Sequence, residues 1–243
     1  MIDEAGSANY RLKHFKYSSH YWVLKILSDE QRPLRILDVG TADGYLGVIL
    51  KKQGHYLIGV ERDERLAAAA RLHYDRFHHV DIEEFDFPYH EEFDYILFAD
   101  VLEHLRDPAA VIGRALGALK PTGKVILSVP NVANFVVRMG LLLGRFDYGD
   151  RGILDRTHLR FFTLASARRM IADLSCQVVD VFATPVPVQM VFPIANHVIF
   201  APLHEAHYLL TLLWKTMFAY QFVVRASPIS HFEGFQLISV SDT

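Results

Sequence analysis

The stretch Arg35-Ile-Leu-Asp-Val-Gly-Thr-Ala-Asp-Gly-Tyr-Leu-Gly47 decides the fold, because a short apolar strand runs directly into a glycine-bearing turn and then into a helix. Ile36, Leu37 and Val39 carry the buried-strand signal, and Gly40 and Gly44 permit a turn that a Cβ would obstruct. Tyr45 to Lys52 reads as the following helix, which Gly54 ends. In an open α/β sheet, ligands bind outside the carboxyl ends of the strands, where helix N-termini aim free N–H groups at them.

The turn discriminates between ligands. A dinucleotide fingerprint requires G-x-G-x-x-G, whereas this turn has Ala42 at the second glycine position and carries Asp38 two residues before Gly40. A carboxylate at that strand end repels a pyrophosphate and suits a ligand bearing an amino group and a sulfonium. S-adenosylmethionine is such a ligand. The pattern Asp38-x-Gly40-x-Ala42-x-Gly44 resembles the first motif of the class I S-adenosylmethionine-dependent methyltransferases, whose usual form is Asp/Glu-x-Gly-x-Gly-x-Gly, with Ala42 as the departure.

Composition sets bounds. The 243 residues, 51% hydrophobic, suffice for one sizeable core with an embellishment. A formal net charge of −3 gives no global attraction to nucleic acid. The single cysteine, Cys176, excludes an intrachain disulfide and a multi-cysteine metal site, and reads as a buried core residue. The opening Met1-Ile-Asp-Glu-Ala-Gly-Ser7 shows no secretory pattern, so a cytoplasmic location is expected.

Further stations follow the turn at informative distances. Tyr21 to Leu27 reads as a cap helix, and His55 to Val60 as the second strand, ending on Glu61. A carboxylate there can accept both ribose hydroxyls of an adenosine, or serve as the acid at the start of the Ala-rich helix Arg62 to Leu72. His79-Val80 opens a third strand leading to Asp81 and Ile82. The resemblance makes these the adenine-contacting pair, while Asp81 alone would equally cap a turn. Phe93 to Ala99 is a nearly continuous apolar strand that delivers Asp100-Val-Leu-Glu-His104 to the cofactor edge, Ala99 and Asp100 included among the cofactor-binding candidates. Asp107-Pro108 starts a helix running to about Leu119, Lys120-Pro-Thr-Gly123 is a turn, and Lys124 to Val129 is the fifth strand. The run Phe93 to Asn131 resembles the same family's signature stretch.

The expected architecture is therefore α/β, a doubly wound, mostly parallel sheet. Ser166 to Leu174 is a helix, Gln177 to Ala183 a strand, and Phe235 to Ser241 a last strand. The resemblance implies that this last strand inserts antiparallel, completing a seven-stranded Rossmann-like sheet. The chain divides into cap helices (1–33), cofactor-binding core (34–184), apolar insert (185–228) and last strand (229–243) within a single domain.

Methyl transfer is an in-line displacement served by alignment and exclusion of water, with a histidine as the usual base for a hydroxyl acceptor. His104, one helical turn beyond Asp100, and His158, in Asp155-Arg-Thr-His-Leu-Arg-Phe-Phe-Thr163, are the candidates, each with an equal reading as a structural histidine. The stretch around His158 resembles a segment of the branch that includes ubiquinone-type O-methyltransferases, where it borders the acceptor pocket. No histidine spacing for zinc is present, and no metal is expected.

Between Arg138 and Arg169 stand seven arginines against three aspartates, and Thr184 to Pro228 carries only Glu205, Lys215 and Arg225 as charges. The helical part of this insert is placed at Leu203 to Val224, apolar nearly all round. The two segments together fit an anionic, lipid-associated acceptor at a membrane surface, or else a substrate lid or homodimer contact, with a spanning helix ranked last because Lys215 and three prolines interrupt it. The expected activity is methyl transfer from S-adenosylmethionine to a hydroxyl of a small-molecule acceptor, with no nucleic-acid partner. The rivals are a nicotinamide-dependent oxidoreductase and a non-catalytic cofactor-binding scaffold that docks a partner through the insert.

Overall fold

The computed structural model describes residues 15–187 and 201–229. In chain order the elements are α1 (Ser19–Ser28), β1 (Arg35–Val39), α2 (Tyr45–Lys52), β2 (Tyr56–Glu61), α3 (Glu64–Ala70), β3 (Arg76–His79), β4 (Phe93–Ala99), α4 (Pro108–Leu116), β5 (Leu119–Pro130), α5 (Phe135–Leu142), α6 (Leu164–Asp173), β6 (Cys176–Thr184), α7 (Ala201–Leu213), α8 (Lys215–Phe218) and β7 (Gln221–Pro228). The strands hydrogen-bond in the order β3-β2-β1-β4-β5-β7-β6. β7 runs antiparallel to both its neighbours, and the pairings from β3 across to β5 are parallel. From β1 the chain winds outward to β2 and β3, then returns to place β4 on the other side of β1, so the strand order reverses between β1 and β4. That crevice is where such sheets bind ligands.

Local signals account for the helices. Asp107 caps α4 by accepting from the N–H of Ala110, and Pro108 occupies its first turn. Asp63 caps α3 through the N–H of Leu66, and Thr163 and Ser166 form a reciprocal capping box on α6. One apolar layer joins the sheet to Val111, Ile112 and Ala115 of α4 and to Ala167 and Ile171 of α6. The opposite layer takes Val23, Ile26 and Leu27 of α1 with Leu46 and Leu50 of α2. Burial on both faces explains why β4 reads as a nearly continuous apolar run, broken only by Asp94.

Four expectations need correction. The third strand lies at Arg76–His79, ahead of His79-Val80, in register with Ile58 to Glu61 of β2; as a partly exposed edge strand it shows no apolar alternation to announce it. Lys120 to Gly123 is not a separate turn: it lies inside β5, where the register jumps from Phe93↔Leu119 to Tyr95↔Lys124. The helix expected over Leu203 to Val224 stops at Leu213, is followed by the single turn of α8, and gives way to strand. Phe222, Val223 and Val224 are fully buried between β5 and β6, so the end of the expected insert is an interior strand of the sheet, next to its edge. A continuous apolar run of that kind cannot be told from a buried helix by periodicity alone. The antiparallel position assigned to Phe235–Ser241 is filled by Gln221–Pro228, and residues 235–241 lie outside the described residues. The sequence reading also has no counterpart for α5.

This reassignment is directly testable. Phe222→Ala should cost about 3–5 kcal/mol of unfolding free energy in urea titrations, whereas Leu213→Ala, on the exposed end of α7, should stay within about 0.5 kcal/mol of the wild type. Equal small effects would contradict the interior placement of β7.

Candidate active site

The turn after β1 alternates in handedness. Gly40, Ala42 and Gly44 all adopt positive φ (77°, 49° and 84°), which explains the every-second-residue spacing of the motif and leaves Ala42 in a conformation that costs a non-glycine residue about 1–2 kcal/mol. A Cβ on Gly40 would lie 2.5 Å from Val101 Cγ2, so the turn also packs tightly on the segment after β4.

Glu61, at the tip of β2, holds this turn. One carboxylate oxygen accepts the N–H of Ala42 at 3.0 Å, and the other accepts those of Arg62 and Asp63, each at 2.9 Å. Asp38 lies beneath, only 1% exposed, and accepts the Tyr74 hydroxyl at 2.6 Å. Burial pushes its carboxyl up from 3.8 to about 6; the Tyr74 bond works against that rise, and the charge of Glu61 adds to it. The Tyr74 ring needs Gly47, where a Cβ would stand 2.6 Å from Tyr74 Cζ. A glycine inside the otherwise regular helix α2 is the only sequence sign of that approach.

Asp81 follows β3, accepts the N–H of Glu83 at 2.9 Å, and lies 3.7 Å from Arg62 Nη1. Ile82 is buried in the core, and the guanidinium of Arg114 fastens the loop by donating to the carbonyls of Ile82, Glu83 and Phe85. Ala99 ends β4, and Asp100 takes positive φ (57°). The Asp100 carboxylate ties three elements together: it accepts from Ser128 of β5, from Gln221 Nε2 of β7 at 3.1 Å and from Ser19 Oγ of α1 at 3.4 Å, with His20 Nε2 3.7 Å away. His20 is buried, 3.1 Å from the Tyr45 hydroxyl at the start of α2. Neither His20 nor Gln221 is marked by any motif.

Beyond this edge the structure brings His104 and His158 together, with ring centroids 4.9 Å apart and planes at 74°. The contact is made by backbone: the carbonyl of Glu103 accepts the N–H groups of Leu159 and Arg160, docking the 155–160 segment against the end of β4. The local bonds also set the tautomers. His158 Nδ1 donates to the Ile153 carbonyl at 3.0 Å. The Thr157 hydroxyl gives its proton to Asp155, so His104 Nδ1, 3.2 Å from that hydroxyl oxygen and 3.3 Å from the Thr157 carbonyl, is a donor too. Both rings therefore carry their lone pairs on Nε2. Burial lowers both from the ordinary histidine value, and the proximity of His104 adds to the drop at His158, so both are neutral at neutral pH.

Buried Glu103 joins them: ligand atoms of Glu103, His104 and His158 all lie within 4.8 Å of one another. One carboxylate oxygen and two imidazole nitrogens, the imidazoles held from behind through Nδ1, form a donor set that suits a divalent cation. The absence of zinc-like spacing in the sequence concealed it, since 54 positions separate the two histidines. Tyr220, also unanticipated, is pushed up to about 12 by burial and by the charges of Asp100, Asp155 and Glu103. Among the described residues no helix is long and apolar enough to cross a membrane.

A family model described as a methyltransferase domain matches residues 13–181. A ubiquinone biosynthesis O-methyltransferase from Aromatoleum aromaticum is 31% identical over 116 residues, covering 45% of this chain and 49% of that protein. One of the same name from Bradyrhizobium diazoefficiens is 38% identical over 104 residues, 40% of each chain. The chain thus spans half or less of the length of these relatives. Among solved structures, an S-adenosylmethionine-dependent methyltransferase from Mesorhizobium loti superposes with a TM-score of 0.58 at 17% identity, covering 86% of this chain and 97% of that one. Magnesium protoporphyrin IX methyltransferase from Synechocystis with bound SAH does so with 0.57 at 15% identity, covering 87% and 82%. At those identities the likeness is one of fold.

The buried carboxylate yields a stability test. Since the folded-state value of Asp38 lies above the unfolded one, its stabilisation is full below about pH 4 and is lost as pH rises through about 6. Asp38→Asn keeps an oxygen for Tyr74 and removes this dependence. The variant should be more stable than the wild type by about 3 kcal/mol near pH 8, the gap closing toward about pH 4, in urea unfolding followed across that range. A variant no more stable at the alkaline end would contradict the burial of an ionising carboxyl.

Proposed function

The chain belongs to the methyltransferase-domain family, and from that membership we propose that it transfers a methyl group from S-adenosylmethionine to a hydroxyl of a small-molecule acceptor. The observation that carries the choice of cofactor is the bond from the Ala42 N–H to Glu61. The amide that a pyrophosphate would need is already held by a carboxylate, which repels phosphate and so argues against a nicotinamide dinucleotide. That carboxylate keeps acceptor capacity for a ribose hydroxyl, and Asp81 stands one strand further out for the adenine amino group. Asp38 and Asp100 supply negative charge under the part of the cofactor that bears its amino group and sulfonium.

When bound, S-adenosylmethionine supplies an electrophilic methyl group on a positively charged sulfur. The protein's part is to align the acceptor oxygen, exclude water and take the acceptor's proton. His104 and His158, neutral and with Nε2 lone pairs, are suited to receive that proton. Hydroxyl rather than amine acceptors follow from the O-methyltransferase names of the relatives. Glu103 favours a second reading of the same cluster, in which Glu103, His104 and His158 would hold a divalent cation, and the cation would supply Lewis-acid polarisation of the acceptor oxygen.

The test is transfer of labelled methyl to phenolic and aliphatic hydroxyl compounds, with amines alongside. Transfer to hydroxyl compounds is expected, reduced about 10²- to 10⁴-fold in His104→Ala or His158→Ala while affinity for S-adenosylhomocysteine stays within about threefold. Loss of transfer on chelation, restored by Mg²⁺ or Mn²⁺, would select the cation reading over direct proton transfer. No transfer to any hydroxyl compound, or variants as active as the wild type, would overturn the assignment.

A further inference from the structure

We propose that the face built by α5, the 143–151 segment that follows it and the adjoining end of α7 with α8 is an interfacial surface that lies on an anionic lipid bilayer. On α5, Val136, Met139 and Leu142 face solvent, followed by Leu143, with Leu142 76% and Leu143 69% exposed. At the end of α7, Leu209, Leu213 and Trp214 do the same, Leu213 at 84%. The two elements meet at the start of α5. Asn134, the cap of α5, donates from Nδ2 to the Ala219 carbonyl at 2.9 Å, Asn131 Nδ2 reaches the Thr216 carbonyl at 3.3 Å, and the Phe218 ring lies 6.2 Å from both Phe135 and Trp214. Exposed apolar side chains in that number, on neighbouring helices, mark a surface for something other than water.

Charge identifies what covers it. Arg138, Arg145 and Arg151 are exposed on the same segment, and among the described residues none is ion-paired. Of the two aspartates on that segment, Asp150 is engaged by Arg156 at 2.9 Å, which leaves Asp147 as its one aspartate outside an ion pair among the described residues. A symmetric dimer across this face would bring two such arginine sets together with little to neutralise them. Lipid phosphates supply the missing negative charge, and arginine suits phosphate geometry. The exposed aromatic residues Trp214 and Tyr148 are of the kind that sits at the headgroup level of a bilayer. With no described helix able to cross a membrane, the face lies on the bilayer rather than through it. It also places the reaction edge beside the lipid, because α5 begins five residues after β5 ends and the chain returns from this face as His158. Residues 185–228 as a whole were expected to carry the contact, but residues 221–228 are strand β7 within the sheet, and α5 takes their place.

The experiment is flotation of the full chain with vesicles of phosphatidylcholine alone and of phosphatidylcholine mixed with phosphatidylglycerol. The variants are Leu142→Glu/Leu143→Glu, Arg138→Glu/Arg145→Glu and a control, Leu72→Glu, equally exposed but on the 71–73 turn far along the chain. Circular dichroism verifies folding, and size exclusion reports oligomeric state. The wild type and the control should float with the anionic vesicles, less so as salt rises, and each double variant should lose about tenfold or more in partition coefficient. Absence of flotation, equal flotation with both vesicle types, or flotation unchanged in Leu142→Glu/Leu143→Glu would overturn the proposal. So would a dimer that this variant dissociates, which would assign the face to a second copy. Because flotation requires neither cofactor nor turnover, its failure is distinguishable from failure of the methyl-transfer reading.

Discussion

Two carboxylates, Asp38 below the turn and Glu61 beside it, are the constraint on which the site rests. A turn with three left-handed residues, one of them alanine, is not a conformation that a chain adopts without external support. Support comes from the Ala42 N–H held by Glu61, from Val101 packed on Gly40, and from Tyr74 joining Asp38 across Gly47. The same groups define an electrostatic preference. A buried carboxylate with an acidic neighbour costs stability at neutral pH, and a ligand bearing positive charge offsets that cost where a phosphate would increase it.

From this crevice the rest of the edge is organised by β4. Asp100, at its end, binds α1, β5 and β7 to one carboxylate, so the cap helix and the antiparallel strand are both referred to the reaction edge. The N-terminal cap is joined in turn to α7: Lys16 and the Tyr17 hydroxyl both donate to Glu205, and Tyr17 stacks on Tyr208 with centroids 3.6 Å apart. Thus α7 is attached at its start to the segment that precedes α1, and α8 to the Asn131 and Asn134 side chains.

What the sequence disclosed and what it withheld have physical causes. Tyr45–Lys52 and Phe93–Ala99 agree with expectation residue for residue, because a glycine turn with a clear helix stop, and a long run buried on both faces, are local signals. The last strand was hidden because Phe222, Val223 and Val224 adjoin a leucine-rich helix, and only pairing with β5 and β6 distinguishes strand from helix there. Position in the sequence marks His104 and His158 separately, but their meeting depends on a carbonyl, that of Glu103, accepting from Leu159 and Arg160, which no spacing rule encodes. Tyr74, His20, Gln221 and Tyr220 reach the site only through tertiary contacts.

The central claim is that the turn braced by Glu61 accepts a sulfonium nucleoside and refuses a dinucleotide. Calorimetric titration of the protein with S-adenosylhomocysteine, S-adenosylmethionine and NAD⁺, repeated on Glu61→Ala, tests it most directly. The account predicts saturable binding of the two sulfur compounds, none of NAD⁺, and loss of binding in the variant. Binding of NAD⁺, or silence with both sulfur compounds, would contradict it.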